Sequence, residues 1–352
     1  MTIKQRNQVS NWLLVGVVMI FVQIIIGGVT RLTGSGLSIT EWAPIMGTIP
    51  PMNDADWLVA FQRYQEIAQY KVLNSDMSMG DFKFIFFWEW FHRLWARSLG
   101  VVFLLPFIYF LAKKYFTVKE IVLLFVLFLL GGLQGALGWI MVQSGLNDTD
   151  LHVSHIRLAI HFMAAIGLLI YAFWLYLKYR LDESHYKAIP AKLKYFQLGI
   201  IILVCVQFVY GAFMAGKKAA NSAPSWPKIN GEWYPTLMKG ESWIHHVLSI
   251  HFVHRNLAYI LLVLVIISVI KIRKWARERG AVLLYHSTFY SLILIIVQLL
   301  LGIFAILTSL GIVHGHFGVF ESLAAAHQTV GMLLLMVLYF QYYLMKKSTI
   351  PQ

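Results

Sequence analysis

The chain has 352 residues, 59% of them hydrophobic and only 13% charged, with a mean hydropathy of +0.68. That balance excludes a soluble globular domain and a disordered chain, and points to an integral membrane protein. The formal net charge of +13 raises nucleic acid as a partner, but no basic groove with interleaved aromatic residues accompanies it, so nucleic acid is not expected.

In chain order, stretches free of Asp, Glu, Lys and Arg cover residues 12–30, 98–112, 121–147, 158–177, 195–216, 256–270, 281–320 and 322–345. A spanning helix needs about 20 apolar residues. The second and sixth stretches reach that length only if their helices begin near Trp88 and Val247. Eight transmembrane helices are predicted. With the N-terminus cytoplasmic, 17 of the 29 Lys and Arg residues fall on inner segments, and the loop between the seventh and eighth spans has none. This is the positive-inside bias, so the basic charge reports topology. Both termini are then cytoplasmic. The N-terminal segment runs straight into a span without a cleavage site or an Arg/Ser-rich transit pattern, which favours a bacterial plasma (inner) membrane.

The two halves of the sequence repeat each other. Gln23, Gly27, Trp42, Gly47 and Pro51 match Gln207, Gly211, Trp226, Gly231 and Pro235 at an offset of 184. His92 and Arg93 match His254 and Arg255 at 162, Gln134, Gly138 and His152 match Gln298, Gly302 and His316 at 164, and His161 matches His327 at 166. Four spans per half give both halves one orientation. The predicted fold is therefore all-α: two tandem four-helix bundles, residues 1–180 and 181–352, related by a pseudo-twofold axis along the membrane normal. Residues 31–87 form a long outer loop, with an amphipathic stretch around Trp57 to Tyr70 predicted as a short surface helix. Its counterpart, residues 217–245, is shorter and rich in Trp, Pro and Lys.

Eleven of the thirteen histidines fall on the outer side of this topology. His92, His161, His254 and His327 each lie inside a span, one or two turns from its outer end. An ionisable residue within a span marks function by default, and imidazole is a common axial ligand of heme iron. Two such pairs suit two hemes near the outer face, each between two imidazoles. The competing reading, histidines hydrogen-bonded between helices, explains one such residue better than four in register. His152 and His316 form a further repeat pair without a defined role. His155, His245, His246, His251 and His314 fit helix mouths and loops. No H-E-x-x-H spacing supports a hydrolytic zinc site.

Glu89 stands three residues before His92, on the same helical face, and its counterpart before His254 is His251. A carboxylate there can act as acid or base, stabilise positive charge, or simply pair with Arg93 or Arg97. The asymmetry predicts a reactive site in the first half and an electron-transfer or structural heme in the second. Arg93 and Arg255 follow their histidines and suit heme propionates; snorkelling at the helix end competes. The glycines at 27, 28, 131, 132, 135 and 138 allow close approach of helices or of a flat macrocycle. Cys205, the single cysteine, lies within the fifth span as a small packing residue.

G-G-V-T-R-L-T-G-S-G-L-S-I-T-E-W at 27–42, P-I-M-G-T-I-P-P at 44–51, E-W-F-H-R at 89–93, R-L-A-I-H at 157–161, the His254-Arg255 pair and L-A-A-A-H-Q at 323–328 together resemble the heme A synthase family over nearly the whole chain. The resemblance implies an eight-helix, four-plus-four fold. It also implies oxidation of the C8 methyl of heme O to a formyl group, giving heme A for terminal cytochrome oxidase. The substrate or product heme falls to His92 and His161, with Glu89 as the acid needed for turnover, and a heme b to His254 and His327. Heme O synthase, terminal cytochrome oxidase or its assembly factors, membrane lipid and an unidentified electron acceptor are the implied partners. Part of that family carries an outer-loop cysteine pair, and this chain resembles the branch without it. A diheme membrane cytochrome b that only transfers electrons, or a heme carrier, are the rival readings.

Overall fold

The computed structural model describes residues 1–41, 46–312 and 317–347. Trp42 and Pro44 of the sequence motifs, and His314 and His316, lie outside the described residues. Ten α-helices occur among those described: α1 Ile3–Leu32, α2 Asp54–Gln65, α3 Ala68–Leu73, α4 Met79–Ala112, α5 Val118–Gln143, α6 His155–Arg180, α7 Ala191–Gly216, α8 Val247–Glu278, α9 Val282–Leu307 and α10 Val319–Leu344. All except α2 and α3 are long and apolar enough to cross a membrane, and the protein is a multi-pass membrane protein. Two three-residue strands, β1 Lys187–Ile189 and β2 Met345–Lys347, pair in parallel.

Helix starts follow local chemistry. Thr2 with Gln5, Ser78 with Asp81 and Thr117 with Glu120 each form a reciprocal capping box, which satisfies amides that have no partner within the helix. The Ser78 box explains why α4 begins at Met79 and not near Trp88, where the apolar run suggested. The amphipathic outer stretch forms two helices, α2 and α3, broken at Glu66 and Ile67. They pack Phe61 and Tyr64 against Phe82, Ile85 and Phe86 in the first turns of α4. Tyr64 donates to Gln69 (3.0 Å) and accepts from Asn74 (2.6 Å); burial pushes its phenol up to about 12.

The chain divides into two compact units. One comprises Met1–Tyr176 with Ile312–Glu321, the other Leu177–Gly311 with the chain from Ser322 onward. The first unit thus takes in a stretch that reaches into the first turn of α10.

Within the first unit, α1 and α4 run antiparallel. The indole of Trp12 donates to the carbonyl of Val102, that of Trp95 to Met19, and the Thr30 hydroxyl to Trp88. α5 and α6 form a second antiparallel pair, tied by Tyr171 to the Leu123 carbonyl and Arg157 to that of Ile140. In the second unit a chain of buried polar side chains joins all four helices. Ser268 donates to Gln197, Gln197 to Gln341, and Gln341 to Ser291. Each amide and hydroxyl in it finds a partner, so the network specifies the packing at low desolvation cost.

Candidate functional site

Each of the four antiparallel helix pairs brings a glutamine on its first helix to a histidine on its second. The amide nitrogen of Gln23 lies 3.2 and 3.3 Å from the two ring nitrogens of His92, and that of Gln134 lies 3.2 and 3.5 Å from those of His161. Gln207 approaches His254 Nε2 at 3.3 Å, and Gln298 approaches His327 Nε2 at 3.3 Å. One helical turn after each glutamine comes a glycine: Gly27, Gly138, Gly211 and Gly302. A Cβ there would come within 3.0, 2.9, 3.3 and 2.9 Å, respectively, of Cε1 of the facing histidine. The glycines let the imidazoles lie against the neighbouring backbone.

In the sequence the four glutamines stand only as markers of duplication, whereas Gly27 and Gly138 are also expected to allow close approach of helices or of a flat macrocycle. The signal that they belong to the site was present: all four fall in the same Q-x-x-x-G spacing, on the helix preceding each histidine.

The four histidines converge in pairs. In the second unit the rings of His254 and His327 have centroids 6.3 Å apart and planes inclined at 66°. Two imidazoles on opposite sides of one metal ion, with nitrogens about 2 Å from it, place their ring centres roughly 6 Å apart. His327 Nδ1 donates to the Gln298 carbonyl at 3.0 Å, which fixes the tautomer with an unprotonated Nε2, the form a metal ligand requires. His254 Nδ1 is buried without a partner among the described residues. In the first unit His161 lies close enough to His92 for direct Coulombic interaction. No three His, Cys, Asp or Glu side chains among the described residues form a metal cluster. A macrocycle supplying four ligands of its own fits paired imidazoles of this kind.

Glu89 is 3% exposed and fully partnered. Its Oε1 lies 2.7 Å from Nη2 of Arg93; its Oε2 accepts from the Ser38 hydroxyl at 2.8 Å and the Ile39 amide at 2.9 Å. Three donors, one of them charged, hold the carboxylate in place. The loop that brings Ser38 and Ile39 down to it begins where α1 stops, at Gly34, whose φ of +72° suits glycine. Arg93 also donates to the carbonyls of Ile39 and Glu41, at 3.0 Å each.

The second unit repeats this clamp with one change. Arg255 donates to the carbonyls of Ala223 and Ser225, at 2.6 and 2.8 Å, which are the positions 184 residues beyond Ile39 and Glu41. Both arginines thus hold, by its backbone, the loop that follows the first helix of their pair. Where Glu89 accepts from a hydroxyl and an amide, the fully buried His251 donates from Nε2 to the Ala219 carbonyl at 2.7 Å. Its Nδ1 takes the weaker approach of Arg255 at 3.4 Å. The replacement removes a negative charge from this position.

His152 lines a polar hollow of about 420 Å³ with Gln143, Ser144, Asn147, Asp150, Ser154 and Arg157. Arg157 stands one turn before His161 on α6.

The fold and this site define a class: a polytopic helical membrane protein with two pairs of half-buried histidines in its spans, and with Glu89 three residues before His92 where the other half has His251. Residues 10–339 match the COX15-CtaA family of cytochrome oxidase assembly proteins. The heme A synthase of Rhizorhabdus wittichii is 39% identical over 337 residues, covering 94% of this chain and 92% of that protein. That of Flavobacterium johnsoniae is 36% identical, covering 88% and 94%, and that of Rhodospirillum centenum is 44% identical over 72% of this chain and 68% of its own length. The chain belongs to the family of these heme A synthases.

Proposed function

We propose that this protein oxidises the C8 methyl group of heme O to a formyl group, giving heme A, in the first unit, while the second unit holds a heme b. The observation that carries this reading is the pairing of four histidines with Glu89 set beside His92 alone. Heme O is held by His92 and His161, with its long isoprenoid tail left in lipid or between helices. Water supplies the oxygen: the methyl group loses two electrons and two protons and takes up a water to become an alcohol. The alcohol loses two more of each and takes up a second water to become a hydrated aldehyde, and the hydrate loses water to leave the formyl group. Four electrons leave in all, and an acceptor outside the chain receives them.

Heme b, held by His254 and His327, supplies one-electron transfer when bound. The chain's own residues do the remaining work. The glycines give the imidazoles room, the two arginines fix the loops beside each site and would be the donors nearest to heme propionates there, and Glu89 places a negative charge beside the substrate. That charge stabilises positive charge developing on the substrate during oxidation, and its absence beside His254 accounts for different chemistry in the two halves. A bacterial plasma membrane location, cytoplasmic termini, outward-facing heme sites, delivery by heme O synthase and transfer of product to terminal oxidase or its assembly factors complete the proposal.

Co-expression with heme O synthase, followed by mass and pyridine-hemochrome analysis of extracted hemes, tests it. Heme O converting to heme A through a hydroxylated species is the expected result. Two unmodified hemes b, or bound heme A that is never formed from heme O, would overturn it.

A further inference from the structure

We infer that Gln23, Gln134, Gln207 and Gln298 are positioning residues that fix the planes of the four ligand imidazoles; this rests on the proposed assignment of the histidines to heme iron. For Gln23 and Gln134 the amide nitrogen is nearly equidistant from both nitrogens of the facing ring. A group so placed lies across the ring and is not in line with either lone pair. It steers the imidazole and leaves a nitrogen available to a metal.

The anchor is the backbone of the histidine itself. Gln23, Gln134 and Gln207 donate to the carbonyls of His92, His161 and His254, at 3.1, 2.9 and 3.0 Å. In the fourth pair the relation is reversed, and His327 Nδ1 donates to the carbonyl of Gln298. All four glutamine Oε1 atoms are buried without a partner among the described residues. Placing an unsatisfied amide oxygen inside a membrane bundle is unfavourable, and its recurrence at four equivalent places argues against incidental packing.

The fit is reciprocal. One turn after each glutamine stands the glycine that faces the ring. One turn after each histidine stands a small residue, Ala96, Ala165, Ala258 or Gly331. At Gly331 a Cβ would come within 3.1 Å of the Gln298 amide nitrogen. Each ligand therefore comes from one copy of a two-helix unit, Q-x-x-x-G packed on H-x-x-x-(A/G), present four times.

Axial-ligand orientation is one of the levers a protein holds over heme iron. The 66° between the His254 and His327 planes corresponds to crossed ligands, which give ferric low-spin iron a strongly anisotropic signal with a large maximal g value. Parallel ligands give a rhombic one.

The test uses the full-length protein purified with heme b. Gln207→Met and Gln298→Met keep side-chain length and remove only the amide. Both are expected to keep most of their heme while the large-g signal moves toward rhombic and the midpoint potential shifts. Heme loss from a variant that stays monodisperse and helical also supports the inference, and if a Met variant does not accumulate, Gln207→Asn, with its amide drawn back, gives the same readout. Unchanged line shape, potential and heme content in the variants would overturn it. A parent-like low-spin signal in His254→Ala would instead sink the ligand assignment and leave the glutamine result separate.

Discussion

Gly302 lies so close to the ring of His327 that a Cβ in its place would come within 2.9 Å of Cε1. The same relationship binds Gly138 to His161 at 2.9 Å, Gly27 to His92 at 3.0 Å and Gly211 to His254 at 3.3 Å. These glycines have ordinary helical conformations; contact with the facing ring, not backbone freedom, explains them.

A graded series follows. Gly138→Ala and Gly302→Ala should displace their histidines and lower heme occupancy most, and Gly211→Ala least. Overpacking of this kind costs about 1–3 kcal/mol. Heme-to-protein ratios of the purified variants check the order, and equal occupancy across all four would refute the contact argument.

Replacing Glu89 separates charge from shape. Glu89→Ala should retain heme and abolish conversion to heme A. It also leaves Arg93 without its counter-ion, and breaking a buried pair costs roughly 3–5 kcal/mol. Because the Arg93 side chain keeps 19% exposure, the fall in thermal stability should sit at or below the lower end of that range. Glu89→Gln keeps side-chain size and should restore part of the stability but not the conversion. Unchanged heme A output in either variant removes the catalytic assignment.

Ser38 acts through Glu89. Ser38→Ala deletes one of the two donors on Oε2, a hydrogen bond to a charged group, of the kind worth about 1.5–3 kcal/mol. Conversion should fall by at least several-fold while heme content stays constant, as judged from hemochrome spectra of the same preparations.

His251→Glu should not create a second reactive site. Its Nε2 faces a carbonyl, that of Ala219, where Glu89 faces an amide and a hydroxyl. A carboxylate there meets a like partial charge, so the second unit should lose thermal stability and heme b. A stable variant that modifies the heme of this half would contradict the argument.

Much of this protein was legible in its residues. Long uncharged runs located eight spans because a bilayer core tolerates few charges, and ordered matches between the halves exposed the duplication. Four histidines stood out because an intramembrane imidazole needs a reason. The extent of α4 was missed because the capping box at Ser78 lies in a polar stretch that the apolar run does not include. The pairing of Glu89 with Arg93 was open in the sequence, since Arg97 also stood near.

The sequence by itself determined the number of spans, the repeat and which four histidines stand inside spans at matching places in the two halves, because these follow from solvation of side chains and from spacing along a single helix. Only the tertiary structure decided what each histidine touches. It brought Gln207 to His254 across 47 residues and Ser38 to Glu89 across 51, and turned both arginines onto loop carbonyls. The Q-x-x-x-G spacing recurs in the sequence, but which ring each copy meets depends on the three-dimensional approach of separate helices and loops.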